Sequence, residues 1–225
     1  MTAKSKFRRP GVNSTVSGAA KEAEALRSLV CVVDDDSGIR EALSSLLSSA
    51  GLRIEAFGSA EEFLRATANE SPVCLILDLH LPDISGFDLQ HQLAEADGPP
   101  IVFISGHGDI PSSVRAMKAG AIEFLPKPFS DQELLAAIDS AIAQRQKEQQ
   151  TRKELSDLRK SYAGLSARER EVLPFIVAGL TNKQTAAKLG IVEITVQVHR
   201  AQIVRKMAAR SIPDLVRMAC KLGIS

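Results

Sequence analysis

Three unbroken apolar runs limit what this chain can fold into. Leu29-Val30-Cys31-Val32-Val33, Val73-Cys74-Leu75-Ile76-Leu77 and Ile101-Val102-Phe103-Ile104 each hold four or five apolar residues in succession. A strand with one wet face alternates polar and apolar residues, so these runs predict strands buried on both faces. Arg53 to Phe57 and Ala121 to Leu125 predict two shorter strands between and after them. Helical patterns separate the strands. Ser37 to Ala50 carries Ile39, Leu43, Leu46 and Leu47 at helical spacing and stops at Gly51. Ser59-Ala60-Glu61-Glu62 has the form of a capping box. Further helices are expected around Phe87 to Glu95 and over Ile110 to Lys118, the latter ended by Gly120, and Ser130 starts a long one. Strand and helix alternate five times. That order predicts an α/β domain, a doubly wound five-stranded parallel sheet with helices on both faces.

The charge distribution divides the chain further. Its net charge of +1 hides +4 over residues 1–27, −12 over 28–143, +3 over 144–160 and +6 over 161–225. An acidic middle and a basic C-terminal quarter predict different partners, and the basic part invites nucleic acid. Residues 1–27 read as a disordered basic tail with no apolar stretch of the export-signal kind. No run approaches the roughly 18 apolar residues of a membrane span, so no membrane partner is expected. Cys31, Cys74 and Cys220 are too scattered for a disulfide framework or a zinc site, and a reducing, cytoplasmic setting is expected. With no Trp and one Tyr, base-stacking recognition of single strands is not expected.

Residues 28–142 therefore read as the α/β domain and 143–161 as a helical linker, continuous with the fifth helix or paired in a short coiled coil. Residues 162–225 hold only short helices. Ser166-Ala167-Arg168-Glu169 opens one over Arg168 to Ala178, ending at Gly179. Thr181 caps another through Lys188, a third runs from Glu193 to Met207, and Pro213 opens the last, to Leu222. Two helices joined by Leu189-Gly190-Ile191 predict a helix-turn-helix, whose second helix enters the DNA major groove.

The parallel sheet brings its strand ends to one edge. Asp34, Asp35 and Asp36 end the first strand, Asp78 the third, Ser105 the fourth and Lys127 the fifth. Taken singly, each is an ordinary loop residue. Together, several carboxylates and one amine repel unless a cation joins them, and Mg²⁺ suits a few carboxylates completed by water.

The segments VVDDDSGIR, LILDLHLPDISGFDL, IVFISGHGD and MKAGAIEFLPKPF resemble the receiver domain of two-component response regulators. The resemblance implies that Asp78 is the phosphoryl acceptor. It implies Mg²⁺ on Asp34, Asp35, Asp78 and the backbone carbonyl of His80, and phosphoryl contacts from Ser105 and Lys127. Phe124 would be the aromatic switch, and Lys127–Pro128 a cis peptide. No enzyme activity is expected beyond self-phosphorylation from a phosphodonor and self-dephosphorylation. His91 and His107 are expected to be surface or loop residues.

LSAREREVLPFIVAGLTNKQTAAKLGI and TVQVHRAQIVRKM resemble a LuxR-type helix-turn-helix. Receiver, linker and output together resemble the FixJ/NarL family of transcription regulators. A cognate histidine kinase, double-stranded DNA, RNA polymerase and, on phosphorylation, a second copy of the chain are the implied partners, with activation the expected direction of control. Gln197, Arg200 and Ala201 are read on one face of the recognition helix, with Gln197 facing adenine and Arg200 guanine. Thr195, His199, Asn182, Lys183, Arg205 and Lys206 are candidate phosphate contacts, and Val198 is divided between core and groove. Val192 stands where many relatives have Ser or Thr, which predicts an uncapped helix at a cost of about 1 kcal/mol. Gln197 stands where many have Lys.

Two other readings compete. Asp34-x-Asp36 also fits the nucleophile of haloacid-dehalogenase-type phosphatases, which turnover of a phosphate ester would reveal. Val192 and Gln197 also fit an adaptor that no longer binds DNA, which salt-dependent DNA binding would exclude.

Overall fold

The structure, a computed structural model, describes residues 29–67, 71–96, 98–106 and 110–224. The tail expectation and His107 lie outside these residues. The chain forms two compact units that divide after Gln146.

The first unit is built on strands β1 (Leu29–Val33), β2 (Arg53–Phe57), β3 (Cys74–Asp78), β4 (Ile101–Ser105) and β5 (Glu123–Pro126). All pairings are parallel and the order is β2-β1-β3-β4-β5. Every residue of β1, β3 and β4 is buried, as their unbroken apolar runs require. Alternation along each strand feeds two cores. Cys31, Val33, Leu75, Leu77 and Phe103 pack on one face, and Val30, Val32, Ile76, Val102 and Ile104 on the other. The helices are α1 (Ser37–Ser49), α2 (Ala60–Ala66), α3 (Gly86–Glu95), α4 (Ile110–Lys118) and α5 (Asp131–Ala163).

The local chemistry differs from expectation in two places. β5 pairs with β4 from Glu123 rather than Ala121, because the ladder begins at Val102↔Glu123. Ser59 accepts from the Glu62 N–H at 3.2 Å, but the Glu62 carboxylate accepts from the Gly58 N–H at 2.9 Å, so the box closes one residue early. Gly86 marks a close approach. A Cβ there would lie 2.7 Å from the Asp78 carbonyl oxygen and 3.0 Å from the Phe103 ring. The start of α3 is thus held against the strand end that carries Asp78.

α5 runs unbroken through the residues read as linker, and its last turns belong to the second unit. That unit adds α6 (Ala167–Val177), α7 (Asn182–Leu189), α8 (Glu193–Lys206) and α9 (Ile212–Lys221) around Leu173, Ile176, Val196, Ile203, Met207 and Leu215. Ser166/Glu169 and Thr181/Gln184 form complete capping boxes on α6 and α7. Gly190 turns the chain in the left-handed region, φ 66°. Val192 then occupies the N-cap of α8 with no side-chain bond.

Candidate functional site

The strand order reverses between β1 and β3, and the crevice outside their carboxyl ends is where such sheets bind ligands. Asp34, Asp35 and Asp78 meet there, with carboxylate oxygens within 4.8 Å of one another. Asp34 is 0% exposed. Its Oδ1 accepts from the Asp36 N–H at 2.9 Å, and Arg40 donates to its backbone carbonyl at 2.7 Å. Lys127 donates through Nζ to Asp34 Oδ2 at 2.7 Å and to Asp78 Oδ2 at 3.0 Å. Asp78 Oδ1 accepts from the His80 N–H at 3.2 Å.

Burial pushes the Asp34 carboxyl above its usual range, against the hydrogen bonds from Lys127 and Asp36. Burial pulls Lys127 down, but its hydrogen bonds to Asp34 and Asp78 outweigh that and hold the ammonium above its ordinary value. Three carboxylates face one ammonium. The donor set is all oxygen and carries two negative charges in excess, which fits a hard divalent cation such as Mg²⁺.

Asp36 is placed differently from its neighbours. It is the N-cap of α1, accepting from the Gly38 and Ile39 N–H groups at 2.8 and 3.3 Å. An Asp34-x-Asp36 phosphatase pair is therefore not assembled, since Asp36 is committed to the helix end.

Ser105 is fully buried at the end of β4, and its carbonyl accepts from the Lys127 N–H at 2.7 Å. The Lys127–Pro128 peptide is cis. Phe124 is buried on β5 with its ring 6.3 Å from Phe103, which lies 5.7 Å from Phe87 on α3. Arg115 of α4 stacks over Phe87 at 4.1 Å. A run of rings thus joins the strand ends to the surface of α4. His91 is exposed, 3.9 Å from Glu95.

On the second unit, Gln197, Ala201, Lys183 and Arg205 are exposed, and Asn182, Thr195 and His199 are half-buried. The structure separates Arg200 from Gln197 and Ala201. Arg200 is half-buried and donates to the Leu180 carbonyl at 3.1 Å. Lys206 is 2.7 Å from Glu169, whose carboxylate is buried beneath it. These two cations are engaged within the fold. Val198 is exposed and Val196 and Ile203 are core. Ile194 is also exposed on α8 and was not among the expected DNA contacts. Its spacing to Val198 and Ala201 was the available signal.

Residues 30–139 match the response regulator receiver domain, and residues 163–219 match the luxR family of bacterial regulatory proteins. Nodulation protein W of Bradyrhizobium diazoefficiens is 47% identical over 200 residues, covering 88% of each chain. Transcriptional regulatory protein FixJ of Azorhizobium caulinodans is 42% identical over 197 residues, covering 87% of this chain and 93% of its own. The solved response regulator StyR is 49% identical with a TM-score of 0.76, over 86% of this chain and 98% of its own. Full-length FixJ from B. japonicum is 38% identical with a TM-score of 0.54, over 88% and 98%. Among the described residues no helix is long and apolar enough to cross a membrane. With both halves matched and the relatives spanning nearly the whole chain, the protein belongs to the FixJ/NarL family of response regulators, a receiver domain joined to a luxR-type DNA-binding domain.

Proposed function

We propose that Asp78 is the phosphoryl acceptor of a switch that controls DNA binding by α8. The observation that carries this is Lys127 Nζ shared between Asp34 and Asp78, with Ser105 buried on the next strand. An Asp78 carboxylate oxygen attacks the phosphorus of a phosphohistidine on the partner kinase. The new P–O bond forms as the P–N bond breaks, and the imidazole leaves. Asp34, Asp35, Asp78 and the His80 carbonyl are the residues to hold Mg²⁺, which when bound neutralises charge on the transferred oxygens. Lys127 already touches the acceptor and contributes its positive charge to the same oxygens. The Ser105 hydroxyl donates to the phosphoryl group, and Phe124 packs behind it.

The acyl phosphate adds charge and acceptor oxygens at one strand end. Phosphorylation then promotes pairing of two chains, which sets two α8 helices on half-sites one helical turn of DNA apart. Gln197 reads base edges, while Lys183, Arg205 and the half-buried Asn182, Thr195 and His199 border the backbone. Recruitment of RNA polymerase, and so activation, follows from DNA occupancy.

The test uses the full chain with Mg²⁺ and beryllofluoride, which stands in for the phosphoryl group. Sedimentation and selection from a random duplex library are run on the same samples, with Asp78→Asn as control. Dimerisation and enrichment of a paired half-site only when Asp78 is present support the switch. Dimerisation without DNA enrichment refutes the output and favours the adaptor reading. An unchanged response in Asp78→Asn refutes Asp78 as acceptor.

A further inference from the structure

The outward face of α8 carries apolar residues where water should favour polar ones. Val192 is 65% exposed, Ile194 63% and Val198 51%. Exposed apolar residues scattered singly are ordinary, but Ile194 and Val198 stand one turn apart on the same helix, with Val192 exposed at its cap. The core side of α8 is fixed by Val196, Ile203 and Met207, all buried. At 100° per residue, Ile194, Val198, Ala201 and Arg205 fall in one line on the opposite side, with Gln197 beside them. Packing within the second unit therefore does not account for Ile194 and Val198.

The occupant is set by charge. Residues 161–225 carry ten basic and four acidic groups, and Lys183, Lys188 and Arg205 stand exposed on α7 and α8. A surface of that sign repels a basic partner and draws a polyanion. Within a DNA major groove, the one apolar group on a base edge is the C5 methyl of thymine. We infer that Ile194 and Val198, with Ala201 in the same line, form a thymine-methyl-reading strip, so that the operator is specified largely by apolar contact at thymines. Arg200 is not on this face: it is half-buried, lies on the other side of the helix and donates to the Leu180 carbonyl. This rests on the DNA-binding reading above and adds the base class that α8 selects.

The test starts from the duplex enriched by full-length, beryllofluoride-treated protein. Each thymine is replaced singly by deoxyuridine, which removes only the methyl group, and affinity is measured by fluorescence anisotropy. One or two thymines per half-site are expected to lose about fourfold in affinity per methyl removed. In the Ile194→Ser/Val198→Ser variant, the same replacements are expected to change affinity less than about 1.5-fold. Both side chains are solvent-facing, so the variant is expected to keep the parent melting temperature and salt dependence, and Ile194→Ala alone is expected to show an intermediate loss. Deoxyuridine tolerated at every position by a parent that still selects a duplex overturns the inference and leaves DNA binding standing. Full thymine dependence retained in the double variant also overturns it. Absence of any selected duplex removes the DNA-binding reading itself, and the strip with it.

Discussion

Lys127→Met is expected to lower the melting temperature of the receiver by roughly 10 °C in chelator. Lys127 is the cation that bridges Asp34 and Asp78 at 2.7 and 3.0 Å. Without it, carboxylates within 4.8 Å of one another face each other directly. At an effective dielectric constant of about 20, two unit charges at that distance repel by about 3.5 kcal/mol. Breaking a buried pair from one side costs about 3–5 kcal/mol by general experience, so the two routes agree. Proton uptake limits the loss, because Asp34 is already pushed above its ordinary range by burial. A net loss of about 3 kcal/mol corresponds to roughly 10 °C in a domain of this size. The assay is calorimetry of the full chain, following the transition that Mg²⁺ shifts. Mg²⁺ is expected to raise the variant more than the parent, since it replaces the lost positive charge. Asp34→Asn in the Lys127→Met background is expected to recover more than half the loss. A variant that melts within about 2 °C of the parent in chelator refutes the argument. So does an equal rise of both proteins with Mg²⁺, which would mean that metal and lysine do not answer the same charge.

Four further outcomes follow from the second unit. Val192→Ser is expected to stabilise it by about 1 kcal/mol in denaturant unfolding, because Val192 already has cap geometry, φ −82° and ψ 149°, and lacks only the acceptor oxygen. Lys206→Met is expected to destabilise the unit by about 1–3 kcal/mol and to leave the salt slope of DNA binding unchanged, because it strips the partner from buried Glu169. Lys183→Met is expected to do the reverse, reducing the slope by about one phosphate contact with stability within about 0.5 kcal/mol of the parent. The Lys206 ammonium, followed by the Ser166 N–H, holds the Glu169 carboxyl below its ordinary 4.5. A carboxyl depressed in the folded state contributes stability that is full above that value and lost as pH falls through the folded one. Denaturant midpoints of the second unit are therefore expected to decline below about pH 4.5, and less so in Glu169→Gln.

The sheet was legible because burial on both faces leaves a mark that no surface element shares. Three unbroken runs gave β1, β3 and β4, and their polar followers gave Asp34, Asp78 and Ser105 at one edge. The division of labour among the three successive aspartates was not legible. Asp36 caps α1 and Asp34 turns inward, and both outcomes depend on where the helix begins relative to the strand end. On α8 the sequence withheld the face. Ile194, Val196, Val198, Ile203 and Val204 surround the helix, so apolar periodicity selects no buried side. The partners on α6 decide it, and they turn Arg200 inward and Ile194 outward. Lys206 likewise pairs across 37 positions of sequence, beyond any local pattern.

The residues proposed to have a chemical task are those that break local rules of stability. Asp34 is a carboxylate with 0% exposure and a raised pKa, surrounded by its own kind. Ile194 and Val198 are aliphatic side chains held in water. Neither arrangement helps the isolated chain fold, and on the function proposed above both answer to something the chain does not itself contain, a divalent cation beside Lys127 in one case and an apolar base edge in the other. The cations that obey the rules are the ones that stay home. Lys206 finds a buried carboxylate inside the unit, so its charge is answered before any DNA arrives, and Arg200 turns an N–H to the Leu180 carbonyl. A basic residue on a DNA-binding helix therefore counts toward recognition only if folding leaves it unanswered. By that criterion the proposed readout places sequence preference in the exposed strip of α8 rather than in its total charge.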